Sequence, residues 1–566
     1  MRLRSLSGLC VVVLVASGLS ASGCGSSDNK KSAPRYSGGG EGGSDGSAEA
    51  GSGGSGATAG SASDAGAGNG GSAGNGGTAG DAGAGNVGGD AGAGSVDPNG
   101  GASEGGAGGE GPVIPFSGLY VGEDGDDAAA GTIDAPFETL AHAATVAEAG
   151  DTIVFLDGSY AVGTAAAVIA DGVNLMAENS GAATLIGQNG SLLNLSGDTR
   201  IEGLKFQSYA RVAYFGAGAT ATGTVTLVDT TFTNCSVGLE LSGTTSAVVD
   251  VADSFVLGNG GNAFVTLVDE ASLDMTGGIL QNYGAGGIIR ARYDSSVSLT
   301  GVQVLDGTGS VLTLREDAVA DLTDVTFAAG GQALIEQFNS TELTISDSDL
   351  FLKPAAGSYY NVSTVGLTAG SSLTITDSSL SGGQTAIRGD IYEAMTITNV
   401  EFSDFTFGGM DISASGAGGG TIRITGSTFE NVANTAARIG QADNLIDIKI
   451  RDSSFDCTVG TVNWHCLYLD GGNASTVDLG TLSDPGGNTF LSRANTTAIW
   501  FGFDAVNIKA VGNTWTPSEQ GADTQGKYTA PAGSGNTFVG VQTTNQTQGR
   551  NYHLPYGGTL LLAENP

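Results

Sequence analysis

The stretch Leu373-Thr-Ile-Thr-Asp-Ser-Ser-Leu380 contains the pattern that decides the fold: apolar residues at alternate positions, then a turn residue, then another apolar residue. Three further clear copies are Val225-Thr-Leu-Val-Asp-Thr-Thr-Phe232, Leu343-Thr-Ile-Ser-Asp-Ser-Asp-Leu350 and Ile422-Arg-Ile-Thr-Gly-Ser-Thr-Phe429. Alternation of this kind predicts a short strand with one face turned inward. Each unit is too small to bury its own apolar face, so the units must stack into a solenoid.

The second apolar residue of each copy marks the repeat, and most markers follow one another at 22 to 27 residues. The markers are Leu175, Ile201, Leu227, Val251, Met275, Leu299, Leu322, Ile345, Ile375, Ile397, Ile424, Ile450, Leu479 and Ile508. About 14 rungs at a strand spacing of about 4.8 Å predict a rod roughly 65 Å long.

The position two residues after the marker tests this register. It holds only glycine, asparagine or aspartate in eleven rungs, namely Gly203, Asp229, Asp253, Gly277, Gly301, Asp324, Asp347, Asp377, Asn399, Gly426 and Asp452. These residue types tolerate a left-handed backbone. The column therefore predicts a sharp corner at the same place on every rung.

The folded part opens with a recognisable order of short motifs. They are Tyr120-Val121, Gly131-Thr132, Pro136-Phe-Glu-Thr-Leu140, Gly150-Asp-Thr-Ile153 and Gly158-Ser-Tyr160. Proline suits the first turn of a helix, and Phe137, Leu140, Ala144 and Ala147 would share one helical face that ends at Gly150. This order resembles the opening of secreted proteins of the pectate-lyase-like superfamily. The resemblance implies a single-stranded right-handed parallel β-helix, an all-β solenoid whose N-terminal end is capped by a short helix.

The resemblance also implies where an activity would lie. Lyases of this fold use an outward arginine as the base and carboxylates that hold calcium, and the hydrolases use aspartates with a Gly-His-Gly segment. This sequence has no Gly-His-Gly, its three histidines being His142, His465 and His553, and it has no Arg-x-Pro-x-x-Arg segment. The motifs therefore favour a protein without these activities, and a divergent site remains the alternative.

The N-terminus reads as an export signal. Arg2 and Arg4 precede the apolar stretch Leu9–Leu19, which is short for a membrane span. Ala21-Ser22-Gly23-Cys24 then resembles the bacterial lipobox, which implies acylation of Cys24, and Gly25 in place of aspartate implies the outer membrane. Cleavage by an ordinary signal peptidase is the alternative.

Composition divides the rest of the chain. The segment 24–115 consists almost wholly of Gly, Ala, Ser, Asn and scattered acids, and it has too few apolar residues to fold. We expect a signal peptide at 1–23, a disordered tether at 24–115 and the β-helix at 116–566. Within the β-helix we expect a cap at 116–160, rungs at 161–516 and a C-terminal cap or tail at 517–566, with Trp515 in the last apolar slot.

The net charge and the cysteines limit which partners and which cellular compartment the sequence is compatible with. The net charge of −37 disfavours nucleic acids, which require a basic footprint, and it disfavours bare polyanions unless a cation bridges the two. Cys235 reads as a core residue. Cys457 and Cys466 are predicted to form a disulfide in an oxidising compartment, with a metal pair beside His465 as the alternative.

Alignment of the rungs by their markers brings several arginines to the outer surface. Alternation turns Arg290, Arg292 and Arg315 outward, with Glu336 and Arg388 further along the column of Arg290. These arginines are weak candidates for a lyase base or for binding carboxylate and sugar hydroxyl groups. A ladder of ion pairs with Glu316, Asp317 and Glu336 is the alternative.

A column of three carboxylates suggests a metal site. Glu270, Asp294 and Asp317 lie five residues before successive markers, and stacked carboxylates repel one another unless splayed apart or bridged by a cation such as calcium. These acids are weak calcium candidates, with a solvated turn as the alternative.

Two insertions carry exposed aromatic residues. Tyr359 and Tyr360 lie in the first, and Trp464 lies between the paired cysteines. Their rings suit stacking on sugars, and they equally suit packing back onto the rod.

These features predict a monomeric, lipid-anchored protein that is attached to the outer membrane and faces either the periplasm or the cell exterior. The first hypothesis is a binding or structural role toward carbohydrate, presumed a polysaccharide, or toward a surface partner. The alternative is a polysaccharide lyase or glycoside hydrolase that acts at the outward face of the central rungs.

Overall fold

The computed structural model describes residues 118–216, 220–250, 255–256, 263–354, 359–391, 393–414, 420–440, 446–459, 465–470, 476–481, 483–492, 497–501, 507–509, 512–516, 552–553 and 559–561. The predicted signal peptide, Cys24 and the tether lie outside these residues, as do Trp464 and Asp253.

The strands form three faces, and most strands pair in parallel with the strand three further along the chain, whereas β1 pairs with β2. The first sheet has 17 strands: β1 (Gly118–Val121), β2 (Thr152–Phe155), β5 (Asn174–Ala177), β8 (Thr199–Glu202), β11 (Thr222–Val228), β14 (Thr244–Asp250), β17 (Ser272–Thr276), β20 (Ser296–Thr300), β23 (Val319–Thr323), β26 (Glu342–Ser346), β29 (Ser372–Thr376), β32 (Ala394–Thr398), β35 (Gly420–Thr425), β38 (Ile446–Arg451), β41 (Thr476–Asp478), β44 (Asn507–Lys509) and β47 (Thr559–Leu561).

The second sheet has 15 strands: β4 (Ala167–Ile169), β7 (Ser191–Leu195), β10 (Arg211–Phe215), β13 (Leu239–Ser242), β16 (Val265–Val268), β19 (Ile289–Arg292), β22 (Leu312–Arg315), β25 (Ala333–Phe338), β28 (Tyr360–Val365), β31 (Thr385–Ile391), β34 (Gly408–Ala414), β37 (Thr435–Gly440), β40 (His465–Asp470), β43 (Thr497–Phe501) and β46 (Tyr552–His553).

The third face is divided into a four-stranded sheet and an 11-stranded sheet. The first contains β3 (Gly158–Ala161), β6 (Ala183–Ile186), β9 (Leu204–Gln207) and β12 (Thr231–Thr233). The second contains β15 (Phe255–Val256), β18 (Ile279–Tyr283), β21 (Gln303–Gly307), β24 (Thr326–Ala329), β27 (Asp349–Leu352), β30 (Ser379–Ser381), β33 (Glu401–Ser403), β36 (Thr428–Glu430), β39 (Ser454–Cys457), β42 (Thr489–Ser492) and β45 (Thr514–Thr516).

This arrangement confirms the predicted right-handed parallel β-helix. Its length is about 11 turns when turns are counted along the continuous third sheet, somewhat fewer than the predicted number of about 14. The first sheet already begins with β1 and β2, so the stacking starts inside the segment 116–160 that was predicted to be a cap.

The corner column is also confirmed. Each of its ten described positions has a backbone φ between 48° and 68°. They are Gly203, Asp229, Gly277, Gly301, Asp324, Asp347, Asp377, Asn399, Gly426 and Asp452. The carbonyl of the following rung accepts a hydrogen bond from the corner amide at most of these positions, for example from Asp377 N to Thr398 O at 2.9 Å.

Two of the predicted markers are displaced by two residues. Val249, not Val251, pairs with Leu227 and Met275, and Ile508 pairs with Val477 instead of Leu479. Alternation with a period of two preserves the inward face after such a shift, so the sequence pattern alone allows both registers.

An aromatic column fills the interior near the C-terminal end. Phe402, Phe429, Phe455 and Phe490 are fully buried, and successive ring centroids lie 4.4, 4.8 and 5.2 Å apart in stacked geometry. Phe490 pairs in backbone register with Trp515. Repetition of one residue type on successive rungs therefore produces a continuous core.

The N-terminal helix is shorter than predicted. It spans Leu140–Val146, and the Oγ1 atom of its N-cap residue Thr139 accepts a hydrogen bond of 3.1 Å from the amide of His142. The expectation that Pro136 begins the helix is wrong, because the next residue, Phe137, pairs with β1 in an isolated parallel bridge. Among the described residues, no helix is long and apolar enough to span a bilayer.

Candidate functional site on the second sheet

The outer face of the second sheet gathers most of the predicted site residues. Alternation along each strand turns every second side chain outward, and the parallel register aligns these side chains into columns. One such column contains, on successive strands from β19 to β40, Arg290, Thr313, Glu336, Ser363, Arg388, Asp411, Arg438 and Tyr468. We call it the outer column.

The predicted arginine cluster, defined as Arg290, Arg292 and Arg315, lies on two adjacent strands, β19 and β22. Arg292 and Arg315 are direct neighbours in register, as the sequence predicted. Arg292 binds Glu316 with two hydrogen bonds, from Nε to Oε2 at 3.0 Å and from Nη2 to Oε1 at 3.3 Å. One pair of the alternative ion-pair ladder is therefore formed.

The two other arginines of the cluster have different surroundings. The guanidinium of Arg315 lies 4.2 Å from the centre of the Phe338 ring, and neither Arg290 nor Arg315 forms an ion pair within the described part of the chain. Glu336 instead accepts a hydrogen bond of 3.3 Å from the Thr313 hydroxyl.

Electrostatics bear on whether Arg292 can act as a base. Its hydrogen bonds to Glu316 raise the pKa of Arg292, and the same bonds lower the pKa of Glu316. A general base must give up its proton near the working pH. Arg292 is therefore held as a cation, which is the protonation state that binds anions.

Four residues further along the outer column, together with Tyr360 on β28, form what we call the aromatic–arginine strip: Tyr360, Arg388, Asp411, Arg438 and Tyr468. Asp411 lies between two arginines, 3.6 Å from Arg388 Nε and 3.6 Å from Arg438 Nη1. The Arg388 guanidinium lies 5.1 Å from the Tyr360 ring centre and donates to its hydroxyl, and that of Arg438 lies 5.3 Å from the Tyr468 ring. The strip thus contains charges of alternating sign between two tyrosine rings.

A cleft of about 250 Å³ opens beside the strip. Its lining includes Phe407, Asn434, Arg438, His465 and Tyr468. The Oδ1 atom of Asn434 is buried and has no hydrogen-bond partner among the described residues, and the Phe407 side chain is 44% exposed. The cleft therefore presents an unused acceptor, a cation and an exposed aromatic ring to a ligand.

The disulfide prediction is confirmed: Cys457 and Cys466 are bonded, with their Cα atoms 5.4 Å apart. The bond connects the end of β39 to β40. Because His465 and Tyr468 flank Cys466 on β40, the disulfide restrains one wall of the cleft. Cys235 is buried and free, as predicted for a core residue.

The predicted calcium ligands do not converge. Asp294 and Asp317 lie at turns with a positive φ, and Asp317 accepts a hydrogen bond from the Ser340 hydroxyl. Within the described residues, Glu270 included, no group of three His, Cys, Asp or Glu side chains is arranged to hold a metal ion. We derive no calcium site from this column.

The sequence prediction found only part of the strip. Tyr360 and Arg388 were predicted as ligand-binding residues and lie together, and Tyr359 packs beside Tyr360 with ring centres 5.7 Å apart. Asp411, Arg438 and Tyr468 were missed. They share the outer column with Arg388, but loops of different length separate them from their markers.

The similarity of this chain to known proteins is low. No family model matches the sequence, and no curated protein matches it either. Similar solved structures include the pectate lyase Pel9A (14% identity, 63% of this chain and 76% of that chain, TM-score 0.29). Others are a PL6 alginate lyase in complex with a trisaccharide (12% identity, 80% and 97%, TM-score 0.29) and the A-module of the mannuronan C-5 epimerase AlgE4 of Azotobacter vinelandii (14% identity, 67% and 94%, TM-score 0.22).

The parallel strand register by itself defines the fold class of this protein. The chain is a right-handed parallel β-helix protein, as its repeat predicted. Identities this low say nothing about the activity of this chain, so its function has to be argued from the outer face of the second sheet.

Proposed function

We propose that this protein is a lipid-anchored surface protein that binds carbohydrate at the aromatic–arginine strip and its cleft. The observation that carries the proposal is the combination of the exposed Phe407 ring, the Arg438 guanidinium and the unused Asn434 acceptor within one cleft. The anchor rests on the sequence at Cys24 alone.

The chemistry of the strip suits a sugar. Aromatic side chains offer apolar faces on which a sugar ring can stack, and Tyr468 and Phe407 line the same cleft. Asn434 Oδ1 can accept a hydrogen bond from a sugar hydroxyl, which would satisfy a buried polar atom. The ion pairs of Arg438 and Arg388 with Asp411 are long, at 3.6 Å, so the guanidinium groups keep N–H donors for a ligand.

At Arg292, binding is favoured over catalysis by the ion pair with Glu316. Arg292 was a candidate lyase base, and its pairing with Glu316 holds it protonated. Lyase or hydrolase action at Arg290, Arg315 and Glu336 is the competing outcome, which the experiment below tests directly.

The purified chain is mixed with a panel of neutral and uronate-containing polysaccharides, with and without calcium. Affinity, absorbance of unsaturated products and release of reducing ends are recorded. We expect binding without turnover, weakened about tenfold or more by Arg438→Gln and by Tyr468→Ala. The matched control is Arg200→Gln, which removes an exposed, ion-paired arginine from the first sheet.

Two results would overturn the proposal. Affinity that is unaffected by Arg438→Gln and Tyr468→Ala would remove the strip from the binding site. Turnover that is abolished by Arg315→Gln would establish a lyase instead. The anchor is tested separately by labelling cells with a radioactive fatty acid, whose incorporation should disappear in Cys24→Ser.

A further inference from the structure

The outer face of the first sheet carries a regular series of hydroxyl groups. The last outward position of seven successive strands, from β17 to β35, holds threonine or serine, namely Thr276, Thr300, Thr323, Ser346, Thr376, Thr398 and Thr425. On β26, β29 and β32 the outward position two residues earlier is also a threonine, namely Thr344, Thr374 and Thr396. We call the six hydroxyl-bearing residues at these two positions of β26, β29 and β32 the hydroxyl array.

The backbone fixes the spacing of the array in two directions. Neighbours on adjacent strands lie about 4.8 Å apart, and alternate residues lie about 6.6 Å apart along a strand. Ile345, Ile375 and Ile397 lie between the array residues on their strands and are fully buried, so the core holds each strand from beneath. A β-branched threonine also has few side-chain rotamers. The array is therefore a rigid two-dimensional lattice of hydroxyl and methyl groups.

The hydroxyl groups of the array are accessible to a partner from outside. Along each of the three strands, buried residues alternate with residues that are exposed or partly exposed. Within the described part of the chain, the one side-chain hydrogen bond of the array joins Ser346 Oγ to Thr323 Oγ1 at 3.1 Å. Each of the five threonine hydroxyls keeps a donor and two acceptor lone pairs for water.

The array is uncharged, although the chain as a whole carries a net charge of −37. The column of Thr374 is bounded by Asp321 on β23 and by Arg423 on β35. The remaining outward residues of β29 and β32 are Ser372 and Ala394. A charged ligand would find no partner on this face, and a sugar would find no aromatic ring on which to stack. The array therefore suits a neutral partner with a regular pattern of hydrogen-bonding groups.

We propose that the hydroxyl array binds ice. The surface of ice presents donors and acceptors at fixed positions, and on a prism face the oxygen atoms repeat at spacings close to the two spacings of the array. Each threonine supplies a hydroxyl group that can replace a water molecule of that lattice, and a methyl group that is removed from liquid water by the contact. The array and the aromatic–arginine strip lie on different sheets, so this function is separate from the proposed binding of carbohydrate.

The experiment grows ice slowly in a dilute solution of the purified chain and measures how much protein enters the ice. The size of ice crystals after annealing measures inhibition of recrystallisation. We expect the chain to enter the ice and to inhibit recrystallisation. Thr374→Lys should raise the concentration needed for inhibition about tenfold or more, because the ammonium group would lose its hydration at the ice surface.

The matched control is Thr226→Lys on β11. Thr226 faces outward in the same column of the first sheet, but its neighbours in register are Arg200 and Val248, so it lies outside the array. Thr226→Lys adds the same charge to the same sheet and should leave the activity toward ice unchanged.

A gain of activity is expected from Asp321→Thr. Asp321 forms no ion pair within the described residues, and Thr323 already occupies the last outward position of its strand. Asp321→Thr therefore adds β23 to the array and should lower the concentration needed for inhibition several-fold. A face that does not contact ice would show no such gain.

The outcomes separate this inference from the proposed function. If the wild-type chain is excluded from ice, or if Thr374→Lys behaves like Thr226→Lys, the inference is wrong. Retention on microcrystalline cellulose without entry into ice would assign the array to a solid polysaccharide and would equally overturn it. Sugar affinity at the strip should be the same in Thr374→Lys as in the wild type, and thermal unfolding of each variant checks that it is folded.

Discussion

The corner column should determine stability residue by residue, and Asp377→Val is the sharpest test. Asp377 has a φ of 48° and accepts a hydrogen bond of 2.9 Å from Asn399 Nδ2 on the next rung. The left-handed conformation costs an ordinary residue about 1–2 kcal/mol, and a β-branched side chain tolerates it least. Loss of the exposed hydrogen bond adds at most about 1 kcal/mol. We expect Asp377→Val to lower the free energy of unfolding by about 2–3 kcal/mol.

The comparison with glycine isolates the backbone contribution. Asp377→Gly also removes the hydrogen bond but relieves the strain at the corner, so the two effects offset each other to within about 1 kcal/mol. Urea unfolding followed by far-ultraviolet circular dichroism gives the free energies. The matched control is Thr376→Val, at the adjacent, partly exposed strand position with an extended backbone. If Asp377→Val costs no more than Thr376→Val, the corner does not require a left-handed residue and the reasoning fails.

Three further predictions concern the core, the acid limit and the disulfide. Phe429→Ala removes a fully buried ring that is stacked between two others, so it should lower the free energy of unfolding by about 3–5 kcal/mol. Phe351→Ala, at a position whose side chain is 41% exposed, should lower it by less than about 1 kcal/mol in the same urea titration. Hydrogen bonds from Arg451 and Lys449 lower the pKa of Asp484 to about 2, so its contribution to stability is complete above the unfolded pKa of about 3.9 and disappears as the pH falls through the folded value. Acid titrations of the wild type and Asp484→Asn should therefore converge between about pH 4 and pH 2, and curves that stay parallel would contradict the assignment. Reduction of the disulfide, which closes a loop with a sequence separation of 9, should lower the free energy of unfolding by about 3 kcal/mol. It should also weaken sugar binding at the adjacent cleft. The reductant should have no effect on a variant that lacks both cysteines.

The fold was predictable because its determinants are local and repeated. A marker two residues before a glycine, asparagine or aspartate specifies both the inward face and the corner, and ten described corners adopt the left-handed backbone that the pattern predicted. The two errors in register, at Val251 and Ile508, arose where apolar residues continue past the strand, since a shift by two residues keeps the same face inward.

The site was harder to predict because it depends on loops as well as on repeats. Arg388 lies nine positions before its marker Ile397, whereas Asp411 lies thirteen before Ile424, although the two are neighbours in the outer column. Insertions between the second sheet and the next corner change this count on several of the later rungs. Alignment by markers therefore succeeds for the regular rungs around Arg315 and fails where the insertions begin.

The same geometry explains why binding along the rod is the natural use of such a surface. In a parallel register, a side chain on one strand has its neighbour at about 4.8 Å on the next, so one favourable contact can recur at a fixed spacing with no further folding information. A ligand that is itself a repeating chain can meet successive contacts of this kind. The alternation of Arg388, Asp411 and Arg438 is such a series, and Arg315 begins the same face five steps earlier. Because Arg388 and Arg438 already pair with Asp411, a ligand gains from this series through the N–H groups that the two long ion pairs leave unused, and loss of affinity in Arg438→Gln is the decisive measurement.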